Sequence, residues 1–232
     1  MTEKKTVIRE REVREWQSSV VDQIFHKECL STVPFNLKHE SKLAILGFYL
    51  PPQTRVDCEQ VQRLASFFEN TGHDYEISVK WCSKTKNLLV YCQIGTSPDS
   101  ASQRARHEQG GESVRLLVQP QPLLEYEPTS AACLTRAGVP EAGVVRIHAL
   151  EKKMMSTVWS YGVLSGADLP AGCASDVIRH TFHRPYALSV LHCRRRIPSM
   201  VLSRISRFTG VEDVWVSWDT EEEVLVVCVH SK

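Results

Sequence analysis

The chain has 232 residues, a formal net charge of +1 and 42% hydrophobic residues. Charge this evenly balanced creates no overall field to draw the molecule to nucleic acid or to an anionic membrane surface. The apolar share is that of an ordinary globular protein, enough for one sizeable domain or two small ones.

The N-terminal run Arg9-Glu10-Arg11-Glu12 stands where a secretion signal would carry its apolar core. No apolar stretch approaches the length of a membrane span. The expected setting is therefore cytoplasmic or nuclear, with no membrane partner. The eight cysteines are scattered without a CxxC pair, so they are expected as free thiols.

Residues 7 to 30 read as a charged amphipathic helix with Val13, Trp16, Val20 and Ile24 on one stripe. Glu10 with Arg14, and Arg11 with Glu15, are helical pairs four apart. After a loop at Pro34, Leu43 to Leu50 is an apolar strand that Pro51-Pro52 must end. Asp57 followed by Gln60 is the N-cap signature of a helix over 57–70. Its stripe is Cys58, Val61, Leu64, Ala65 and Phe68, and Gly72 fits the left-handed position past its end. Strands follow at 75–81 and 88–94. A helix or loop over 101–109 and a strand at Val114 to Val118 close the first half. After its leading helix this half runs β-α-β-β-α-β, the ferredoxin-like order, which many RNA-binding modules also use.

Residues 121–143 form a Pro- and Gly-rich junction. Beyond it the expected elements are strands at 144–150 and 157–164, a weak helix at 173–182 and a strand at 186–193. A helix opened by Pro198 follows, with Val201, Leu202, Ile205 and Phe208 on its stripe. Thr209-Gly210, a strand ending in Trp218 and a strand carrying Cys228 then repeat Thr71-Gly72, Trp81 and Cys92. The α-β-α-β-β unit thus occurs twice, in 1–120 and in 144–232. Equivalent positions are expected to be Val61, Ala65 and Phe68 with Val201, Ile205 and Phe208. The fold class is α+β, an α/β sandwich of two related repeats, with mainly antiparallel sheets and helices on one face.

No local signature of catalysis is present: no paired carboxylates, Gly-rich phosphate loop, Gly-x-Ser-x-Gly elbow, or nucleophile beside a base. The reading is a non-enzymatic interaction or assembly subunit without a cofactor, bound to a protein partner or a second copy of itself. If Val214, Val216 and Trp218 face inward, Trp215 faces out where the first repeat has Ser78. With Val224, Val226 and Cys228 also inward, Leu225, Val227 and Val229 join Trp215 in an outward apolar patch suited to a partner. The alternative is RNA binding through Arg194, Arg195, Arg196, Arg204 and Arg207. A third reading, a metal- or thiol-dependent enzyme, draws on Cys173, His180, His183, His192 and Cys193, whose spacing matches no zinc signature. His192 and Cys193 also point to opposite sides of one strand.

Overall fold

The computed structural model describes residues 7–33, 40–95, 128–161, 163, 177–183, 186–193 and 196–232. The helix or loop expected at 101–109 and the strand expected at 114–118 lie outside them. The first half runs β1 (Ile8–Arg9), α1 (Glu10–Val20), β2 (Ser31–Thr32), β3 (Glu40–Ser41), β4 (Leu43–Leu50), β5 (Val56–Asp57), α2 (Cys58–Thr71), β6 (Tyr75–Cys82) and β7 (Asn87–Gly95). The second runs α3 (Ala131–Arg136), α4 (Glu141–Ser160), β8 (Ile178–His183), β9 (Tyr186–Cys193), β10 (Ile197–Pro198), α5 (Ser199–Ile205), β11 (Val211–Asp219) and β12 (Val224–Ser231). No described helix is long and apolar enough to cross a membrane.

Local signals explain several of these elements directly. Asp57 and Gln60 form the capping box of α2, with Gln60 accepting the Asp57 backbone N–H at 3.1 Å. Gly72 ends α2 at φ 73°, a conformation that costs glycine little. Glu10–Arg14 and Arg11–Glu15 pair at 2.6 and 2.7 Å on the exposed side of α1. Helical structure there is not uniform to residue 30. It passes through a π-helical turn, Val21–Phe25, and a 3-10 turn, His26–Glu28, whose first residue has φ 45°.

The two main sheets have the orders β10-β6-β7-β4-β2 and β5-β11-β12-β9-β8, every neighbouring pair antiparallel. Within each half the strands flanking the short helix lie in the ferredoxin-like arrangement, with β7 between β4 and β6, and β12 between β9 and β11. The fourth position, beside β4 or β9, is taken by the strand before it, β2 or β8. Helices cover one face of each sheet. On the first, Phe25 of the π-helical turn after α1 meets Phe48 of β4 at 5.3 Å between ring centres, and Phe68 of α2 is fully buried.

Each half also supplies the outermost strand of the other half's sheet. Val56 and Asp57 pair with Val216 and Trp215, while Ile197 and Pro198 pair with Val79 and Ser78. The exchange is reciprocal and in one register, so Trp215 does stand where the first half has Ser78. Ion pairs repeat it: Arg55 reaches Asp213 at 3.4 Å and Arg196 reaches Glu76 at 3.0 Å. At the centre Trp81 and Trp218 stack on each other, 3.8 Å apart and 4° from parallel. The sheet edges at β6 and β11 are thereby paired rather than left open, and one apolar core runs through both halves. The Trp81→Ala and Trp218→Ala pair should show a coupling of about 0.5–1.5 kcal/mol in a double-mutant cycle, the range for aromatic contacts. Additive losses would mean the stacked rings do not hold the halves together.

Three expectations are corrected. The strands expected at 144–150 and 157–164 are one helix, α4, whose buried Val144, Ile147, Leu150, Glu151, Met154, Met155 and Val158 follow helical spacing. It is the true counterpart of α1. Residues 178–183, expected within a helix, form β8. Counted from their caps at Asp57 and Pro198, α2 and α5 align Val61 with Leu202 and Leu64 with Ile205, one step from the expected pairing. Helix α5 is shorter, so Phe208 lies half-buried in the turn after it, whereas Phe68 lies inside α2.

Candidate functional site

The β11–β12 hairpin register overturns the expected patch. Trp218 lies opposite Leu225, Val216 opposite Val227, and Val214 opposite Val229. Residues directly opposite in an antiparallel pair share a face. Leu225, Val227 and Val229 are therefore in the core with Val214 and Val216, each at most 2% exposed. Trp215 is on the other face, opposite Cys228. It is half-buried, and the Arg55 guanidinium lies 5.0 Å from its ring centre. The first half thus partly covers the residue expected as an anchor.

The basic residues do not form one surface. Arg196 is turned to Glu76 in the latch between the halves, and Arg194 and Arg195 lie outside the described residues. Arg204 and Arg207 are exposed at and just after the end of α5.

The histidines and cysteines are also dispersed. Cys173 lies outside the described residues, and among those described no three metal-capable side chains come together. His180 and His183 both belong to β8, a strand and not the helix on which they were expected. His192 is 4.0 Å from Asp219 on the outward side, and burial and Arg179 hold its imidazole below the ordinary value. Cys193 is fully buried. Burial pushes the thiols of Cys92 and Cys228 up, the latter to about 11. Neither supplies the thiolate that nucleophilic chemistry needs.

His180 has a different role, in a buried polar chain. Its Nε2 is 2.7 Å from Glu151 Oε1. A carboxylate only accepts, so Nε2 carries a proton, and Nδ1 lies within hydrogen-bond distance of the Ser189 hydroxyl, at 2.8 Å. The second Glu151 oxygen accepts the Thr129 backbone N–H at 3.2 Å. Glu151 and Ser189 are fully buried and the His180 side chain is 3% exposed. A serine, a histidine and a carboxylate thus stand in line, all buried. The work of this polar chain is to tie α4, β8, β9 and the segment before α3 together.

The open site lies beside α4. One hollow of about 580 Å³ is bounded by the first half of α4, the loop Gly138–Pro140, Phe182 and the turn Phe208–Gly210. A second, of about 440 Å³, continues along α4 to Tyr161, and the two share Lys153 and Phe208. Gly143 permits the close approach of the Gly138–Pro140 loop, since a Cβ there would lie 2.8 Å from Val139 Cγ1. Ile147, with Leu134, Val139 and Val144, belongs to a small apolar cluster that extends the floor. Arg146, Lys152, Lys153 and Arg204 line the rim, and among the described residues no acidic side chain does. Lys153 lies over the Phe208 ring at 5.5 Å, and the remaining lysine, Lys232, is paired with Glu212 at 2.8 Å.

Of the sequence candidates among the described residues, only Arg204 lines this groove. Reading 144–164 as strands dispersed the rest. Helical spacing would have placed Ala142, Arg146, Ala149, Lys153, Ser156 and Ser160 on one stripe, polar or small throughout. No family model, no curated protein and no solved structure matches the chain.

Proposed function

We propose that the chain is a non-enzymatic interaction or assembly subunit that receives a protein partner in the groove beside α4. The observation that carries this reading is an open apolar groove whose described rim carries Arg146, Lys152, Lys153 and Arg204 and no acidic side chain. An apolar floor gains free energy when a partner displaces its water. Unpaired cations around it select what that partner carries and speed its approach. The Trp215 face is less suited, because Arg55 already lies on the indole.

Ala149 and Lys153 are exposed, so changing them need not disturb the core. A tagged chain recovered from its source cells should carry a partner that both Ala149→Trp and Lys153→Glu remove, with the thermal melt unchanged. An identical set of partners on wild type and variants refutes the groove as the binding site. Arg204 and the two lysines also suit phosphates. Retention on single-stranded RNA that falls steeply with salt and is lost in Lys153→Glu would favour the RNA reading.

A further inference from the structure

The halves are built alike, but the cleft between the leading helix and the Thr-Gly turn is treated differently in each. In the first half it is closed from within. Trp16 of α1 packs edge-on against Phe68 at 6.4 Å and lies 5.5 Å from the His73 ring, just past Thr71-Gly72. In the second half the corresponding turn, Phe208-Thr209-Gly210, faces Lys153 and a run of small residues on α4, including Ala142, Gly143 and Ala149. Helix α4 lines this cleft with no aromatic side chain: Lys153 lies over Phe208 where Trp16 meets Phe68, and the groove is what remains.

We propose that this groove takes an acidic amphipathic peptide segment of a protein partner. One large apolar side chain enters where the first half has Trp16, and carboxylates meet Arg146, Lys153 and Arg204. The proposal rests on the interaction-subunit reading above and specifies its partner. Shape supports a peptide: the stripe from Ala142 to Ser160 is about 27 Å long, the length of a helix of ~18 residues. Small side chains let a second helix axis come close. Apolar anchors spaced three and four apart would meet the floor, as in other helix-in-groove complexes. Charge supports an acidic one, because among the described residues the charged side chains of the rim are all basic. Single-stranded nucleic acid is less suited. It binds by stacking successive bases on open aromatic faces, and here Lys153 lies over the Phe208 ring.

The test is a displayed library of random peptides, ~18 residues long to match the stripe, selected on the immobilised full chain. Peptides retained by the Ala149→Trp variant are discarded. A fluorescent single-stranded RNA is titrated in parallel. The expected result is enrichment of net-negative sequences with large apolar residues three and four apart. Individual winners should bind the Lys153→Glu variant roughly tenfold or more weakly, as for a central contact. No enrichment, a neutral or basic winning set, or winners indifferent to Lys153→Glu overturns the proposal. So does RNA that binds the wild type, fails to bind Ala149→Trp and outcompetes the peptides. If the native complex is lost in the groove variants but no acidic peptide is selected, the interaction reading stands and this inference falls. If acidic peptides are selected while the native complex ignores the groove variants, the ligand chemistry stands and the interaction reading falls.

Discussion

Glu151→Leu should lower the stability of the fold by about 2–6 kcal/mol at neutral pH, roughly 1–3 for each of two buried donors left without an acceptor. The substitution strands His180 Nε2 and the Thr129 N–H, both of which donate to Glu151 in a site without water access. Urea unfolding measures the loss, and a change below about 1 kcal/mol would show that the network relaxes around the gap. The pH dependence follows from the same bonds. Burial alone would push the Glu151 carboxyl up, but the hydrogen bonds from His180 and Thr129 more than offset it and hold it below the ordinary value. The unfolded chain therefore takes up this proton first as pH falls. The stabilisation is complete above the ordinary glutamate value and is lost as pH drops from there through the lowered one. In Glu151→Gln that part of the acid slope should vanish, while the slope from surface carboxylates remains.

Phe68→Ala should cost about 3–5 kcal/mol, the range for deleting a buried aromatic ring. Phe68 is fully buried and touches the rings of Trp16, Phe67 and Tyr75. Phe208→Ala should cost distinctly less, because that ring is half-buried on the wall of the groove. The two changes would be equally damaging if the halves matched at these positions, as the sequence repeat suggests. Equal losses in chemical denaturation would contradict the assignment of Phe208 to the turn after α5.

The difference between these two phenylalanines shows where sequence and structure part. Features made by neighbours in the chain were legible: the Asp57–Gln60 box, the Gly72 stop, the ion pairs on α1, the strands Leu43–Leu50 and Tyr186–Cys193, and the α+β class with its internal repeat. Each depends on contacts within a few residues, so spacing alone reveals it. Sequence also matched Trp215 to Ser78, and the register agrees. The phase of β12 was not legible. Leu225, Val226, Val227, Cys228 and Val229 are all buried, so no alternation marks the inward side and only pairing with β11 chooses it. Helix α4 was hidden by its β-branched residues, whose strand propensity is weak against burial on a helical stripe. The exchanged strands β5 and β10, the Trp81–Trp218 stack and the Glu151–His180–Ser189 chain join residues from 9 (His180 and Ser189) to 160 (Val56 and Val216) positions apart. Such contacts leave no local trace, because what selects them is closure of a core shared by both halves. The groove likewise belongs to tertiary structure, since it exists only where α4 and the Phe208–Gly210 turn meet without a residue like Trp16 between them.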